Sequence, residues 1–111
     1  MEYAYSVCSH KRIRVIRKWQ WWDIDFDDKH MDIVHHINLL PSVIYCEDLI
    51  FDSQLQLTTS AGRVRTSLLK EFHAQYSIFE TLNTHYILNG SGDRKSVKAD
   101  LVFNMIYDTF M

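Results

Sequence analysis

The 111-residue chain has little of what usually punctuates a fold: three glycines and a single proline. So few positions of unusual backbone freedom argue against a turn-dense sandwich and against a glycine-rich phosphate loop. The two cysteines, Cys8 and Cys46, read as reduced thiols of an intracellular protein. No apolar run approaches the roughly 18 residues that a membrane helix needs. The N-terminal stretch also lacks the basic flank, apolar run and cleavage site of a signal peptide. A soluble, intracellular chain is therefore expected. Without secretion, Asn89-Gly90-Ser91 is a turn rather than a glycosylation acceptor.

What the sequence has in quantity is apolar and aromatic side chains, 47% and 14% of the residues. That content suits one globular domain spanning residues 1–111, large enough to bury a core. Residues 11–28 hold all three tryptophans and five of the twelve basic groups, and then turn acidic. Ile13, Val15, Trp19 and Trp21 share one parity, and Arg12, Arg14, Lys18 and Gln20 the other, which predicts a strand. Beyond Trp21 the apolar parity passes to Trp22, Ile24 and Phe26, a slip that a β-bulge near Trp21-Trp22 explains.

Elsewhere the pattern predicts a short strand over 2–8 and a helix over about 28–39. That helix is capped by Asp27 or Asp28, carries Met31, Val34, Ile37 and Leu40, and ends at Pro41. Residues 42–51 fit a short helix opened by Ser42 or a strand, with helix or irregular chain favoured. Residues 54–59 alternate as a strand, Ala61-Gly62 turns, and Arg63-Val64-Arg65 begins the return. Leu68, Leu69, Phe72, Tyr76, Phe79 and Leu82 form a helical stripe from Thr66 to about residue 82. Residues 84–88 and 97–107 read as a hairpin. The fold expected is α+β: a mostly antiparallel sheet of four to six strands with two or three helices on one face. Its core would include Val15, Trp19, Val34, Ile37, Phe72, Phe79, Leu101 and Phe103.

Charge is unevenly distributed. Residues 1–22 carry a balance of +4, residues 23–52 of −7 and residues 53–111 of +1. Neutralisation within the fold, between copies of the chain, or by an outside polyanion would each satisfy this separation. Asp23, Asp25 and Asp27 match the start of a calcium loop, but Asp28 stands where glycine is required and Val34 where glutamate must close it. His30, His35 and His36 with Cys46 lack zinc-ligand spacing. No metal and no cofactor is therefore expected, and EDTA should leave the melting temperature unchanged.

No nucleophile motif such as GxSxG occurs. A small α+β pocket enzyme using His/Asp acid–base chemistry is one alternative. Nucleic-acid binding is another, through Arg12, Arg14 and Lys18, with Arg94 and Lys98 as further phosphate contacts and tryptophans for stacking. The favoured expectation is a non-catalytic interaction module that binds protein, itself included, with Arg17, Trp22, Asp23 and Asp25 as candidate interface residues. Small size and aromatic richness would suit a virus- or phage-encoded accessory protein.

Overall fold

A computed structural model describes residues 11–54 and 63–99. The expected alternation of residues 11–27 forms the longest element, β1 (Arg12–Asp25). Next come α1 (Asp28–His36), β2 (Ser42–Asp52), β3 (Val64–Arg65) and β4 (Glu71–His73). A 3-10 turn at Ala74–Tyr76 leads to β5 (Ile78–Glu80), β6 (Thr84–Leu88) and β7 (Asp93–Lys98). The strands make one mixed sheet, ordered β3-β2-β1-β6-β5-β4, with β7 also paired to β1.

This overturns the α+β expectation, because only one α-helix exists among the described residues and the sheet has seven strands. Two expected helices are strands. Residues 42–51 lie in β2, antiparallel to β1 from Asp23↔Ser42 to Arg14↔Asp52. The stripe from Thr66 to Leu82 fails because its neighbours face opposite ways. Leu68 and Leu69 are both buried, but in different clusters, and so are Ile78 and Phe79. Consecutive side chains that alternate faces belong to extended chain covered on both sides, which mimics helical spacing. Over its described part the expected hairpin of 84–88 with 97–107 is likewise replaced. β6 and β7 both run parallel to β1 and lie one after the other along the same edge, at Arg12–Ile16 and Gln20–Asp25.

The slip near Trp21-Trp22 is also not a bulge. Pairing with β2 continues through Trp21↔Ile44, Trp22↔Val43 and Asp23↔Ser42, and the register shifts between Val15 and Ile16 instead. Lys18 bends the strand with φ 54°. What changes after Trp21 is the face that is covered. Trp21 packs with Ile16, Ile44, Phe79 and Tyr86 on one side of the sheet. Ile24 and Phe26 pack with Val34, Leu39, Val43 and Leu68 on the other, beneath α1.

Of the expected core, Val15, Val34 and Phe79 are buried, Trp19 and Phe72 are half-buried, and Ile37 is exposed. Leu101, Phe103, the strand over 2–8, most of 54–62 and most of 97–107 lie outside the described residues.

Backbone hydrogen bonds carry the segment after β3 along β2, from Thr66 N to Ile44 O and from Leu69 N to Ser42 O. Lys70 N then bonds Glu80 O of β5. The sheet therefore curls around the cluster holding Trp21 and Phe79. Where β1 bends, residues Asn89–Gly92 bridge β6 to β7. A Cβ on Gly92 would overlap the Trp19 ring and carbonyl. Gly92→Ala is accordingly expected to destabilise by about 1–3 kcal/mol through overpacking. Thermal melting checks this, and a variant melting with the wild type would remove the role assigned to this contact.

Candidate functional site

Strand pairing decides the fate of the charges. Because β2 returns antiparallel along β1, the acidic block meets the basic one. Arg12 and Arg14 donate from Nε to opposite oxygens of Asp52, each at 2.8 Å, and that carboxylate is fully buried. It also accepts from the backbone N–H of Gln54 at 3.0 Å. Burial alone would raise the Asp52 carboxyl, but hydrogen bonds from the two guanidinium groups hold it well below the usual carboxylate range. Asp48 takes Arg17 at 3.1 Å and Lys18 at 3.8 Å. At the other end of β1, Asp23 accepts from Arg94 Nε at 2.7 Å, Ser42 Oγ at 3.0 Å and Trp21 Nε1 at 3.1 Å. Burial opposes ionisation of Asp23 as well, and these hydrogen bonds bring its carboxyl below its ordinary value.

The residues selected for nucleic acid are thus not gathered into one patch. Arg12 and Arg14 lie on the half of β1 paired with β6, whereas Arg94 and Lys98 lie on β7 beside Gln20–Asp25. Lys98 and Asp25 are exposed. Trp22 stacks on Tyr45 at 5.4 Å with the rings 13° apart, and Lys95 lies 5.3 Å from the Trp22 ring. A shallow cavity of about 300 Å³ opens beside this pair, lined by Lys18, Trp19, Gln20, Tyr45, Glu47 and Gly92 among others.

The helix histidines do not converge with Cys46. His30 bonds the capping Asp27 at 2.7 Å, His35 and His36 are exposed, and Cys46 is buried in β2, where burial pushes its thiol up.

A different trio does converge. His73 on β4, Glu80 on β5 and His85 on β6 place their ligand atoms within 4.8 Å of one another. Glu80 Oε1 lies 2.8 Å from His73 Nε2 and 3.5 Å from His85 Nε2. Its other oxygen, Oε2, takes Lys11 and, at 3.5 Å, Lys70. Burial works to raise the Glu80 carboxyl, yet hydrogen bonds from Lys11 and His73 outweigh it and hold the group at about 2. His85 is lowered as well, but by burial, which outweighs the raising effect of the Glu80 charge and favours the neutral ring. Sequence reading missed this trio because it assigned residues 66–82 to a helix. The usable signal was Phe72-His73 and Ile78-Phe79-Glu80 flanking a short turn, followed by Thr84-His85-Tyr86.

α1 presents the remaining unusual surface. Its cap forms as expected, with Asp27 accepting from His30 N at 2.8 Å, and Val34 is its buried anchor. Its outer side carries Ile33, 50% exposed, and Ile37 at the C-cap, 37% exposed, with Leu40 at 45% just beyond. The helix ends before Pro41, where Asn38 takes φ 59°, a left-handed conformation that asparagine tolerates.

Over the described residues these features define a mixed-sheet β structure braced by one helix. The chain matches the family described as Domain of unknown function (DUF6957) over residues 1–104 and belongs to that family. No curated protein and no solved structure matches it. No helix among the described residues is long and apolar enough to cross a membrane.

Proposed function

We propose that the chain is a non-catalytic interaction module that associates with a second copy of itself through the outer side of α1. The observation that carries this reading is the exposed apolar group Ile33, Ile37 and Leu40. Ile33 and Ile37 are one helical turn apart and so share a face. Charge patterning supports a second copy as the occupant. The first turn of α1 holds Asp28, and its last turn holds His35 and His36. Two such helices packed antiparallel about a two-fold axis set the acidic turn of each against the histidine turn of the other, while the isoleucines meet at the centre.

The ion pairs of β1 and β2 neutralise much of the sequence's charge separation internally, so the contact rests on apolar surface rather than on the basic and acidic blocks. Such a dimer persists in high salt, because screening acts on its charged rim alone. Light scattering across concentration tests this. The wild type should form a dimer at both low and high salt. The Ile33→Ser, Ile37→Ser double variant should be a folded monomer whose melting temperature no longer rises with protein concentration, as that of a dimeric wild type does. A wild type that stays monomeric at every concentration defeats the reading, and one that shifts only on adding RNA or DNA hands the function to nucleic-acid binding.

A further inference from the structure

We propose that His73, Glu80 and His85 form a binding site for a divalent transition-metal ion, with zinc the best chemical fit, which ties β4, β5 and β6 together. The sheet register builds it. Glu80 pairs across from His85, and His73 pairs across from Ile78, two residues before Glu80 on the same face of β5. Cross-strand partners share a face, so three consecutive strands each deliver one ligand to one point.

Two imidazole nitrogens and one carboxylate oxygen are the donor set of open three-ligand zinc sites, with water filling the fourth position. Bonds of about 2.0–2.1 Å in tetrahedral geometry set neighbouring donors roughly 3.3–3.4 Å apart. The observed separations of 2.8 Å and 3.5 Å from Glu80 Oε1 bracket that spacing. An ion would move His73 and Glu80 apart by about half an ångström and, because all three ligand atoms lie within 4.8 Å of one another, draw the two imidazoles together by at most about 1.5 Å.

Burial is the second argument. Glu80 and His85 are 6% and 4% exposed, unlike a solvated surface cluster of acids. His85 Nδ1 is buried without a hydrogen-bond partner among the described residues, so the ring's polar contact is made through Nε2, the atom aimed at Glu80. The carboxylate is split by function. Lys11 and Lys70 engage Oε2 and leave Oε1 facing the two imidazoles, as outer-shell groups orient a ligating carboxylate. Their positive charge opposes a dication. The site is accordingly weaker than one without ammonium neighbours, and Lys11→Met should tighten it.

The test uses full-length protein treated with EDTA and dialysed, then titrated with zinc by calorimetry and with cobalt by visible absorption. One ion should bind per chain, zinc should raise the melting temperature, and cobalt should give the intense visible bands of a four-coordinate N,N,O site. His73 is the most exposed of the three, so His73→Asn can lose a ligand without opening the core. It should weaken zinc by more than about tenfold. A His30, His35, His36 triple alanine variant should bind as the wild type does. Absence of heat, melting shift and cobalt bands at millimolar metal would overturn the proposal. So would binding that survives His73→Asn and disappears in the helix variant. The α1 dimer is scored separately by light scattering, so either idea can fail alone.

Discussion

Asp52→Ala is expected to lower stability by about 3 kcal/mol, the lower end of the range for breaking a buried ion pair. For a domain of this size that corresponds to a fall of about 12 °C in melting temperature. The reason lies in what the substitution leaves behind. A fully buried carboxylate currently serves Arg12, Arg14 and the backbone N–H of Gln54. With it gone, two guanidinium groups are left side by side along β1, and their side chains are only 23% and 18% exposed. Partial access to water is what keeps the loss near 3 rather than 5 kcal/mol.

The same carboxylate makes stability depend on acid. Its folded value is depressed from the ordinary 3.8. The stabilisation is therefore complete above the ordinary carboxylate range and erodes as pH falls towards the folded value. Urea unfolding at descending pH should show the gap between wild type and Asp52→Ala closing from about pH 4 downward. A gap below about 1 kcal/mol at neutral pH, or one indifferent to acid, would show that the pair is not the fastening described.

This fastening also explains what the sequence could reveal. The +4 and −7 blocks are visible in the linear order of Arg12, Arg14 and Asp52, but their mutual neutralisation depends on β2 pairing back on β1. Residues 42–52 carry too little alternation to announce that. Val43 and Ile44 are adjacent and both buried because the strand is covered on both faces, and a doubly covered strand has no period to read. β1 was legible for the opposite reason: apart from Ile16 and Arg17, its apolar and basic residues up to Trp21 alternate. The Asp27 cap was legible because it is a local interaction between residues three apart.

The β4–β5 region was not legible, and it took the histidine–glutamate trio with it. Leu68, Leu69, Phe72 and Phe79 sit at helical intervals, and no glycine or proline marks the turn between the two strands. Ser77 makes that turn instead, at φ 53°. A serine in the left-handed region carries no sequence signature comparable to glycine. The helix reading also placed His73 and Glu80 seven residues apart on one surface, with His85 beyond the helix end. Only strand pairing brings all three within bonding reach.

The tryptophans supply the remaining large effect, and their order differs from what parity suggested. Parity placed Trp19 and Trp21 alike in the core, yet Trp21 is the one that is 8% exposed. Its ring meets Phe72 edge-on at 4.9 Å and Phe79 at 5.0 Å, geometries worth about 0.5–1.5 kcal/mol each beyond simple burial. Arg94 lies 4.8 Å from its other side, and Nε1 donates to Asp23. Trp21→Ala should therefore cost about 5 kcal/mol, the top of the range for removing a buried aromatic ring. Trp21→Phe keeps part of the ring contact and should lose less than half as much. Trp19 rests half-buried against Gly92, where the ring retains contact with water. Trp19→Ala should accordingly fall below the 3–5 kcal/mol that full burial would imply, near 2 kcal/mol. Urea unfolding of the three variants, followed by the tryptophans that remain, ranks them directly. A larger loss at Trp19 than at Trp21 would mean that the sheet curls about a different centre, because Trp21 is the side chain through which β1 touches both β4 and β5.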